Sequence, residues 1–453
     1  MTDCLSVEEL VRLTGESPKR LLKWKDAGLL GRNCDEFTNE DIGRARLIHH
    51  LLHHGMKLEA MAKAAQDQNS VFCRYLQELS SRWPRRTFSI DQAAERTNMD
   101  EALVRRLMDA GGVREPGEVL SEDDMGFFKA CKIALEAGYP EDALMHLLRV
   151  YADAMERVAE AEGRMSHFYF HQRLKGEGLT GEELLHKLDE AMARLNPLVE
   201  PAILYFHRKG VDSATWEDML THLEEDSGLL QKPTAPGQIQ RAVMFVDLAN
   251  FTPLAEAMGD VAAANVLERF GTIVRVANAR CHGRIVKQIG DAFMVVFSEA
   301  ISAVSCALEI EARASTEPQF PPVRAGLHWG SVLYREGDYV GSNVNLASRL
   351  ATDAQRHEVL ITAEVWKRAR SLANTEFLRL GKRKLKGLTR EVVVFEARVA
   401  GKTPTNRETD PVCGMELGPT EVAARLAWEG NDRAFCSDDC LKKFVREPDK
   451  YTL

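Results

Sequence analysis

Val243-Met-Phe-Val-Asp247-Leu-Ala-Asn250-Phe251-Thr252 is the stretch on which the reading of this chain turns. Four apolar residues in a short run read as a buried strand, which ends in an aspartate and a helix start. A carboxylate at such a strand end can hold a metal, and backbone amides of the turn, at Phe251 and Thr252, can receive phosphate. Taken alone, Asp247 is better read as a plain helix cap. Upstream, Asp226–Gln238 (DSGLLQKPTAPGQ) carries two prolines and two glycines and reads as a linker. Downstream, Ile285–Phe297 reads as a hairpin and Pro322–Leu333 as a further strand and turn. Helical stretches lie between them, so an α/β domain of about 160 residues is expected.

Two more segments of that domain carry chemistry. Lys287-Gln-Ile-Gly290-Asp291 sits between apolar runs, and Gly-Asp is an ordinary hairpin turn. That turn presents a second carboxylate with a lysine four residues back, and two aspartates converging on Mg²⁺ suit in-line attack at phosphorus. In Asp338-Tyr-Val-Gly341-Ser-Asn-Val-Asn345-Leu-Ala-Ser-Arg349, a helix starting after Gly341 puts Asn345 and Arg349 on one face. An arginine can stabilise charge on a transferring phosphoryl group, and an asparagine amide can fix a ribose. A solvated polar pair is the commoner fate of such spacing.

Together these segments resemble the class III nucleotidyl cyclase domain over about Arg241 to Val399, with Arg324-Ala-Gly-Leu-His-Trp-Gly and Leu380-Gly-Lys-Arg-Lys-Leu-Lys-Gly-Leu included. The resemblance implies a ferredoxin-like α/β fold, with Asp247 and Asp291 binding two Mg²⁺ or Mn²⁺ ions. It implies that Lys287 and Asp338 read adenine, that Phe251 and Thr252 lie in the phosphate loop, and that Asn345 and Arg349 orient the ribose and stabilise the transition state. Lysine can donate to adenine N1 and aspartate can accept from its 6-amino group. The implied reaction is attack of the ATP 3′-hydroxyl on the α-phosphorus, giving cyclic AMP and pyrophosphate. Active sites in this family are shared across a dimer, so a homodimer with two equivalent sites is implied. The family usually has glycine where this chain has Asn250; asparagine tolerates left-handed backbone, so reduced efficiency at worst is expected.

The flanks differ in kind. An internal repeat offset by 83 residues maps Ser6 onto Ser89, Asp26-Ala-Gly28 onto Asp109-Ala-Gly111, Thr38 and Asp41 onto Ser121 and Asp124, and Gly55 onto Gly138. Each copy reads as helix, turn, helix, then a Thr38 or Ser121 cap before a longer helix. The first copy resembles the DNA-binding head of MerR-type regulators, with Lys19, Arg20, Lys23 and Lys25 on or beside its second helix. Residues 1–62 hold 9 Lys/Arg against 10 Asp/Glu, and residues 88–145 hold 6 against 13, so neither copy has a basic footprint. The Leu30–Phe37 segment is also short for a wing. Regulation of the cyclase is therefore the expected role of both copies, and DNA binding by the first is disfavoured. His49, His50, His53 and His54 crowd one helix and read as a polar stripe without function.

The C-terminal stretch, Asp410-Pro-Val-Cys413-Gly-Met with Phe435-Cys436-Ser-Asp-Asp-Cys440, resembles the YHS domain. Three thiolates suit Zn²⁺ or Cu⁺, and a small domain gains from a metal; three buried free thiols are the competing reading. No histidine follows residue 357, so a fourth ligand is not evident.

At 453 residues with net charge −9 the chain exceeds one core, and no run of 18 apolar residues or export signal is present. The expected organisation is multidomain. Residues 1–70 form a MerR-like winged-helix unit and 86–225 a second repeat with a helical extension, making an all-α regulatory region. Residues 226–238 are a linker, 239–400 the catalytic α/β domain, 401–409 a linker, and 410–453 a YHS metal-binding domain. The expected protein is a cytoplasmic homodimeric adenylate cyclase. The rival is a MerR-like transcription regulator whose cyclase domain only senses nucleotide.

Overall fold

The computed structural model describes residues 4–31, 37–66, 88–113, 120–228, 235–401 and 407–451, with Cys73 and Pro233 besides. Parts of both expected linkers, and of the Leu30–Phe37 segment, lie outside the described residues. The chain forms two compact units, Met1–Ala214 and Thr215–Leu453. Among the described residues no helix is long and apolar enough to cross a membrane.

In the first unit the repeat recurs almost to the residue. Strand β1 (Cys4–Leu5) pairs with β2 (Phe37–Thr38) beside helices α1 (Val7–Thr14), α2 (Pro18–Asp26), α3 (Asn39–His53) and α4 (Leu58–Gln66). Its second copy holds α5 (Ile90–Thr97), α6 (Glu101–Ala110), α7 (Glu122–Glu136) and α8 (Glu141–Met165), and the Leu5–Phe37 pairing reappears as a Phe88–Leu120 bridge. Matched capping boxes explain the shared helix starts: Ser6 with Glu9 and Ser89 with Gln92, then Thr38 with Asp41 and Ser121 with Asp124. Each copy encloses its own core, around Trp24 and Phe37 in the first and Phe128 and Leu120 in the second. A π-helical turn (Ser166–His171) and α9 (Gln172–Gly176) follow, and then α10 (Gly181–Asp226), 46 residues in one helix.

The second unit is built on an eight-stranded sheet ordered β4-β5-β3-β6-β8-β10-β9, with β7 paired to β6. Its strands are β3 (Gln238–Leu248), β4 (Arg284–Ile289), β5 (Ala292–Phe297), β6 (Val323–Arg335), β7 (Asp338–Val340), β8 (Val359–Thr362), β9 (Thr375–Arg383) and β10 (Val392–Val399). Helices α11 (Phe251–Met258) and α12 (Asp260–Arg280) join β3 to β4, and α13 (Ala300–Thr316) joins β5 to β6. That β-α-β-β-α-β path in the order β4-β5-β3-β6 is ferredoxin-like, as expected. One sheet face packs on α12 and α13 through Phe270, Val274, Phe293, Val304 and Ile310. Helix α14 (Ser342–Asp353) covers the other face, and α15 (Ala363–Ala369) follows β8.

Helix α14 lies unusually close to the sheet. A Cβ on Gly326 would stand 2.1 Å from the Ala351 nitrogen, and one on Gly330 would stand 2.5 Å from Asn343 Nδ2. Gly326, His328 and Gly330 alternate on one face of β6, so the strand offers a seat without side chains except for His328. Buried His328 locks the seat. Asn343 Nδ2 donates to the Ser331 carbonyl at 2.7 Å, so its Oδ1 accepts from His328 Nε2 at 3.0 Å, while His328 Nδ1 faces Thr362 Oγ1 at 2.9 Å. Burial holds this imidazole's pKa down, in keeping with a neutral ring that donates at one nitrogen and accepts at the other.

The tail adds β11 (Glu408–Thr409), β12 (Glu416–Leu417), β13 (Ala424–Trp428), β14 (Asn431–Phe435) and α16 (Asp438–Arg446). Glu408 and Thr409, the last residues of the expected linker, are already strand, paired with β12. The tail's apolar residues Val412, Met415, Phe435 and Phe444 belong to the same buried cluster as the sheet and α13. Glu416 bridges to Phe320 through a backbone hydrogen bond of 3.1 Å.

Candidate active site

Asp247 stands one residue before the end of β3, where the register sets it between Ala292 on β5 and Arg324 on β6. Asp291 directly precedes Ala292 in the β4–β5 turn, so the two aspartates meet at one corner of the sheet. Arg324 grips Asp247 through both forks, Nε to Oδ1 at 2.6 Å and Nη2 to Oδ2 at 3.1 Å, and its Nη1 donates to the Thr352 carbonyl at 3.2 Å. Burial raises the Asp247 pKa against the pull of Arg324, and the neighbouring Asp291 charge raises it further. Burial also raises the Asp291 pKa, with its own backbone hydrogen bond and Arg324 opposing. Two part-buried carboxylates that resist ionising side by side form a donor set that a divalent cation would relieve, so these residues fit Mg²⁺ or Mn²⁺.

Asn250 has left-handed backbone, φ 64° and ψ 35°, and turns the chain from β3 into α11. Asparagine thus adopts the conformation for which glycine is the default. Phe251 and Thr252 open α11, and first-turn amides lack partners within their own helix. Amides in that position can donate to an anion.

The remaining candidates lie on β4, β7 and α14. Lys287 on β4 pairs through Nζ with Asp338 Oδ2 at the start of β7, and Asp338 Oδ1 accepts from the Tyr339 amide at 2.8 Å. One α14 face carries Asn345 and Arg349, both exposed, while Val344, Ala347 and Leu350 point inward. Among the described residues no hydrogen bond or ion pair joins Lys287, Asp338, Asn345 or Arg349 to the Asp247–Asp291–Arg324 corner.

Sequence reasoning passed over Arg324 and the His328–Asn343 lock. Arg324 stands 77 residues from Asp247, and only strand register makes them neighbours. Alternating glycines around His328 were the one available signal for the lock.

In the tail, Cys413, Cys436 and Cys440 converge as the sequence implied, with Sγ–Sγ separations of 3.5 Å from Cys413 to Cys436 and 3.6 Å from Cys436 to Cys440. Asp410 joins them, all four ligand atoms lying within 4.8 Å of one another and all four residues buried. The fourth position left open by the sequence is therefore met by a carboxylate rather than a histidine. Asp410 accepts amide hydrogens from Val412 at 2.8 Å, Cys413 at 3.3 Å and Cys436 at 2.8 Å, leaving one of a carboxylate's roughly four lone-pair sites. Hydrogen bonding with its two neighbours, with burial, pushes the Cys413 thiol far up; hydrogen bonds from Cys413 and Cys436 pull Cys440 well below the ordinary thiol range. Ser437 Oγ accepts the Cys440 amide at 3.2 Å at the α16 N-terminus. Three thiols sharing a proton deficit, with one carboxylate, fit Zn²⁺ or Cu⁺.

Around the second α2 helix, two of the four basic residues are engaged by their own fold. Arg20 pairs with Glu16 at 3.0 Å and Lys25 lies over the Phe37 ring. His49 also pairs with Glu16, and the rings of His53 and His54 lie tilted against those of His49 and His50.

Residues 237–397 match the adenylate and guanylate cyclase catalytic domain, 409–452 the YHS domain, and 5–68 the MerR HTH family of regulatory proteins. An uncharacterized protein of Mycobacterium tuberculosis is 30% identical over 334 residues, 71% of this chain and 82% of that protein. An adenylate cyclase of Glutamicibacter nicotianae is 26% identical over 294 residues, 61% of this chain and 70% of the relative. The adenylyl cyclase CyaB of P. aeruginosa aligns in structure with TM-score 0.33 and 22% identity, covering 37% of this chain and 97% of its own. By these matches the chain belongs to the class III adenylate and guanylate cyclase family, with a MerR-type segment before its catalytic domain and a YHS domain after it.

Proposed function

We propose that the protein is an adenylate cyclase that converts ATP to 3′,5′-cyclic AMP and pyrophosphate in a homodimer with two shared sites. The observation that carries the choice of adenine is the Lys287–Asp338 contact, a donor and an acceptor brought together from β4 and β7. Adenine offers an acceptor at N1 beside a donor at its 6-amino group, whereas guanine offers the reverse, so this pair suits adenine and leaves guanine facing like groups. Asp247 and Asp291 would hold two Mg²⁺ or Mn²⁺ ions, which when bound neutralise phosphate oxygens and increase the acidity of the attacking hydroxyl. The amides of Phe251 and Thr252 would receive the triphosphate, and Asn345 would fix the ribose. Arg349 would meet the charge that builds on the α-phosphoryl group. Arg324, which grips Asp247 through both forks, would have to release it for a cation to bind there.

What supports the dimer is separation: among the described residues no hydrogen bond or ion pair joins the Asp247–Asp291–Arg324 corner to Lys287, Asp338, Asn345 or Arg349. Each set would face its complement on a partner. Cyclic nucleotide formed from ATP and from GTP with Mn²⁺, by full-length protein and by Asp291→Ala, tests the reading. Cyclic AMP from wild type alone supports it. A preference for GTP would overturn the adenine reading. Silence from a folded, dimeric wild type would leave a nucleotide-sensing regulator.

A further inference from the structure

Behind the loop that leads from Asp247 into α11, the tail and the cyclase domain enclose a cleft of about 480 Å³. Small-molecule sites run from roughly 300 to 1,000 Å³. Asn250 and Glu256 of the α11 segment form one wall, Arg356 stands midway along the α14–β8 loop, and Arg433, Lys450 and Tyr451 come from the tail.

Three cations on three separate segments reach this one space. Arg356 Nη1 donates to Thr409 Oγ1 at 3.2 Å, which fixes the side chain while leaving its charge unpaired by any carboxylate among the described residues. Lys450 Nζ lies 5.6 Å from the centre of the Tyr451 ring. Arg433 carries a buried Nε with no hydrogen-bond partner, and no carboxylate among the described residues pairs with its guanidinium. Two acids border the cleft. Asp410 is committed inward, accepting three backbone amides, and Glu256 stands exposed on the α11 side. The cations remain in excess, and Pro253 and Val412 add apolar surface beside them.

We propose that this cleft is an effector site for a small oxyanion bearing two or more charged oxygens, of the phosphate or polycarboxylate class. Guanidinium forks from Arg433 and Arg356 suit such a group, and Lys450 adds a point charge. The occupant's wall is the machinery it would act on. Asn250 is the left-handed residue at which the phosphate loop enters α11, and a Cβ on Gly414 of the tail would stand only 3.6 Å from its Cβ. Lys443 of α16 donates to the Ala257 carbonyl near the far end of α11, so tail and helix are already tied there. An anion in the cleft ties them at the near end as well, and with them the backbone that presents Phe251 and Thr252.

Binding is tested apart from catalysis, so that a failure of the cyclase reading does not decide it. Full-length protein without divalent cations is titrated calorimetrically with pyrophosphate and, separately, with citrate. The variants are Arg433→Ala, Lys450→Ala and, as a control on the catalytic centre, Arg349→Ala. Saturable binding in the millimolar range or tighter is expected for at least one anion, undiminished in Arg349→Ala and weakened about tenfold in Arg433→Ala. Pyrophosphate alone would mark the phosphate class, and both would mark oxyanions generally. In the cyclase assay, with free Mn²⁺ held constant, the bound anion should change the wild-type rate beyond the change in Lys450→Ala, where product inhibition by pyrophosphate also acts. Absence of saturable binding, or binding as in wild type by both folded Arg433→Ala and surface Lys450→Ala, overturns the site. Binding without any change in rate beyond that in Lys450→Ala overturns its effector role.

Discussion

Mixing two dead chains tests whether the site is shared between protomers. Asp291→Ala removes half of the carboxylate pair at the sheet corner, and Arg349→Ala removes a guanidinium from the exposed face of α14. Each alone should lower the rate by on the order of 10²–10³, the scale for deleting one transition-state donor. If each site takes its corner from one chain and its α14 face from the other, a mixed dimer has one site with both defects and one with none. Free exchange of equal amounts gives mixed dimers as half the population, so about a quarter of the wild-type rate should return. If each chain held its own site, every site in the mixture would carry one defect and nothing would return. The assay is cyclic AMP formation with Mn²⁺, using chains carrying different affinity tags so that mixed dimers can be isolated and counted. Inactive mixed dimers, isolated and folded, would refute the shared site.

Gly330→Ala puts a methyl 2.5 Å from Asn343 Nδ2, breaking the His328–Asn343 lock under α14; a cost of about 1–3 kcal/mol in urea unfolding and a fall in kcat are expected, and an unchanged midpoint would count against the lock. Burial by itself would lower the His357 pKa, but its hydrogen bonds to Glu311 at 3.0 Å and to Glu416 of the tail at 2.7 Å outweigh it and raise the pKa to about 9. The protonated ring is therefore favoured by folding: its stabilisation, at most ~3 kcal/mol, is full below about pH 6.5 and is lost as pH rises through 9. Wild-type Tm should fall relative to His357→Gln between pH 7 and 10, and parallel curves would sink the clamp. The tail should take up one equivalent of Zn²⁺ or Cu⁺ per chain, less tightly in Asp410→Asn and not at all in Cys440→Ser; equal uptake by all three would exclude the site. Ending the chain at residue 400 exposes Phe320, now 1% accessible, and should destabilise the catalytic domain by about 2 kcal/mol or more, visible as a lower Tm.

Local signals were the legible ones. Four residues of alternating chemistry, Ser6 with Glu9 and Thr38 with Asp41, repeated 83 positions later, told of a duplicated helical unit because capping boxes act within one turn of chain. The apolar run into Asp247 and the Gly290-Asp291 turn likewise announced a strand and a hairpin from neighbouring residues. Arg324, Asp410 and His357 stayed hidden because their roles depend on pairings across 77, 26 and 59 residues. Asp410 shows why. As one half of an Asp-Pro turn it looks like loop punctuation; only the return of β14 brings the Cys436 amide and three thiols to it.

The tail also reads differently once its contacts are known. As a sequence it is a small module after a polar linker, the arrangement of an appended sensor. In the fold, its buried residues are continuous with the sheet core, Glu416 extends a backbone pairing to Phe320, and His357 is held between one carboxylate from each side. Arg407 adds donations to the carbonyls of Glu317 at 3.2 Å and Glu416 at 2.8 Å, with Glu421 Oε2 at 2.8 Å. A surface pair would be worth a few tenths of a kcal/mol, but these contacts are part-buried and share one apolar cluster, so they act together. A metal held by Asp410, Cys413, Cys436 and Cys440 would then lie within the same packed body as α11. Loss of that metal need not release the tail to be felt: the Asp410–Gly414 turn and Asn250 line one cleft, so a shift of the turn by an ångström reshapes the space beside Asn250. Close packing transmits such a shift, whereas a tethered module would absorb it in its linker.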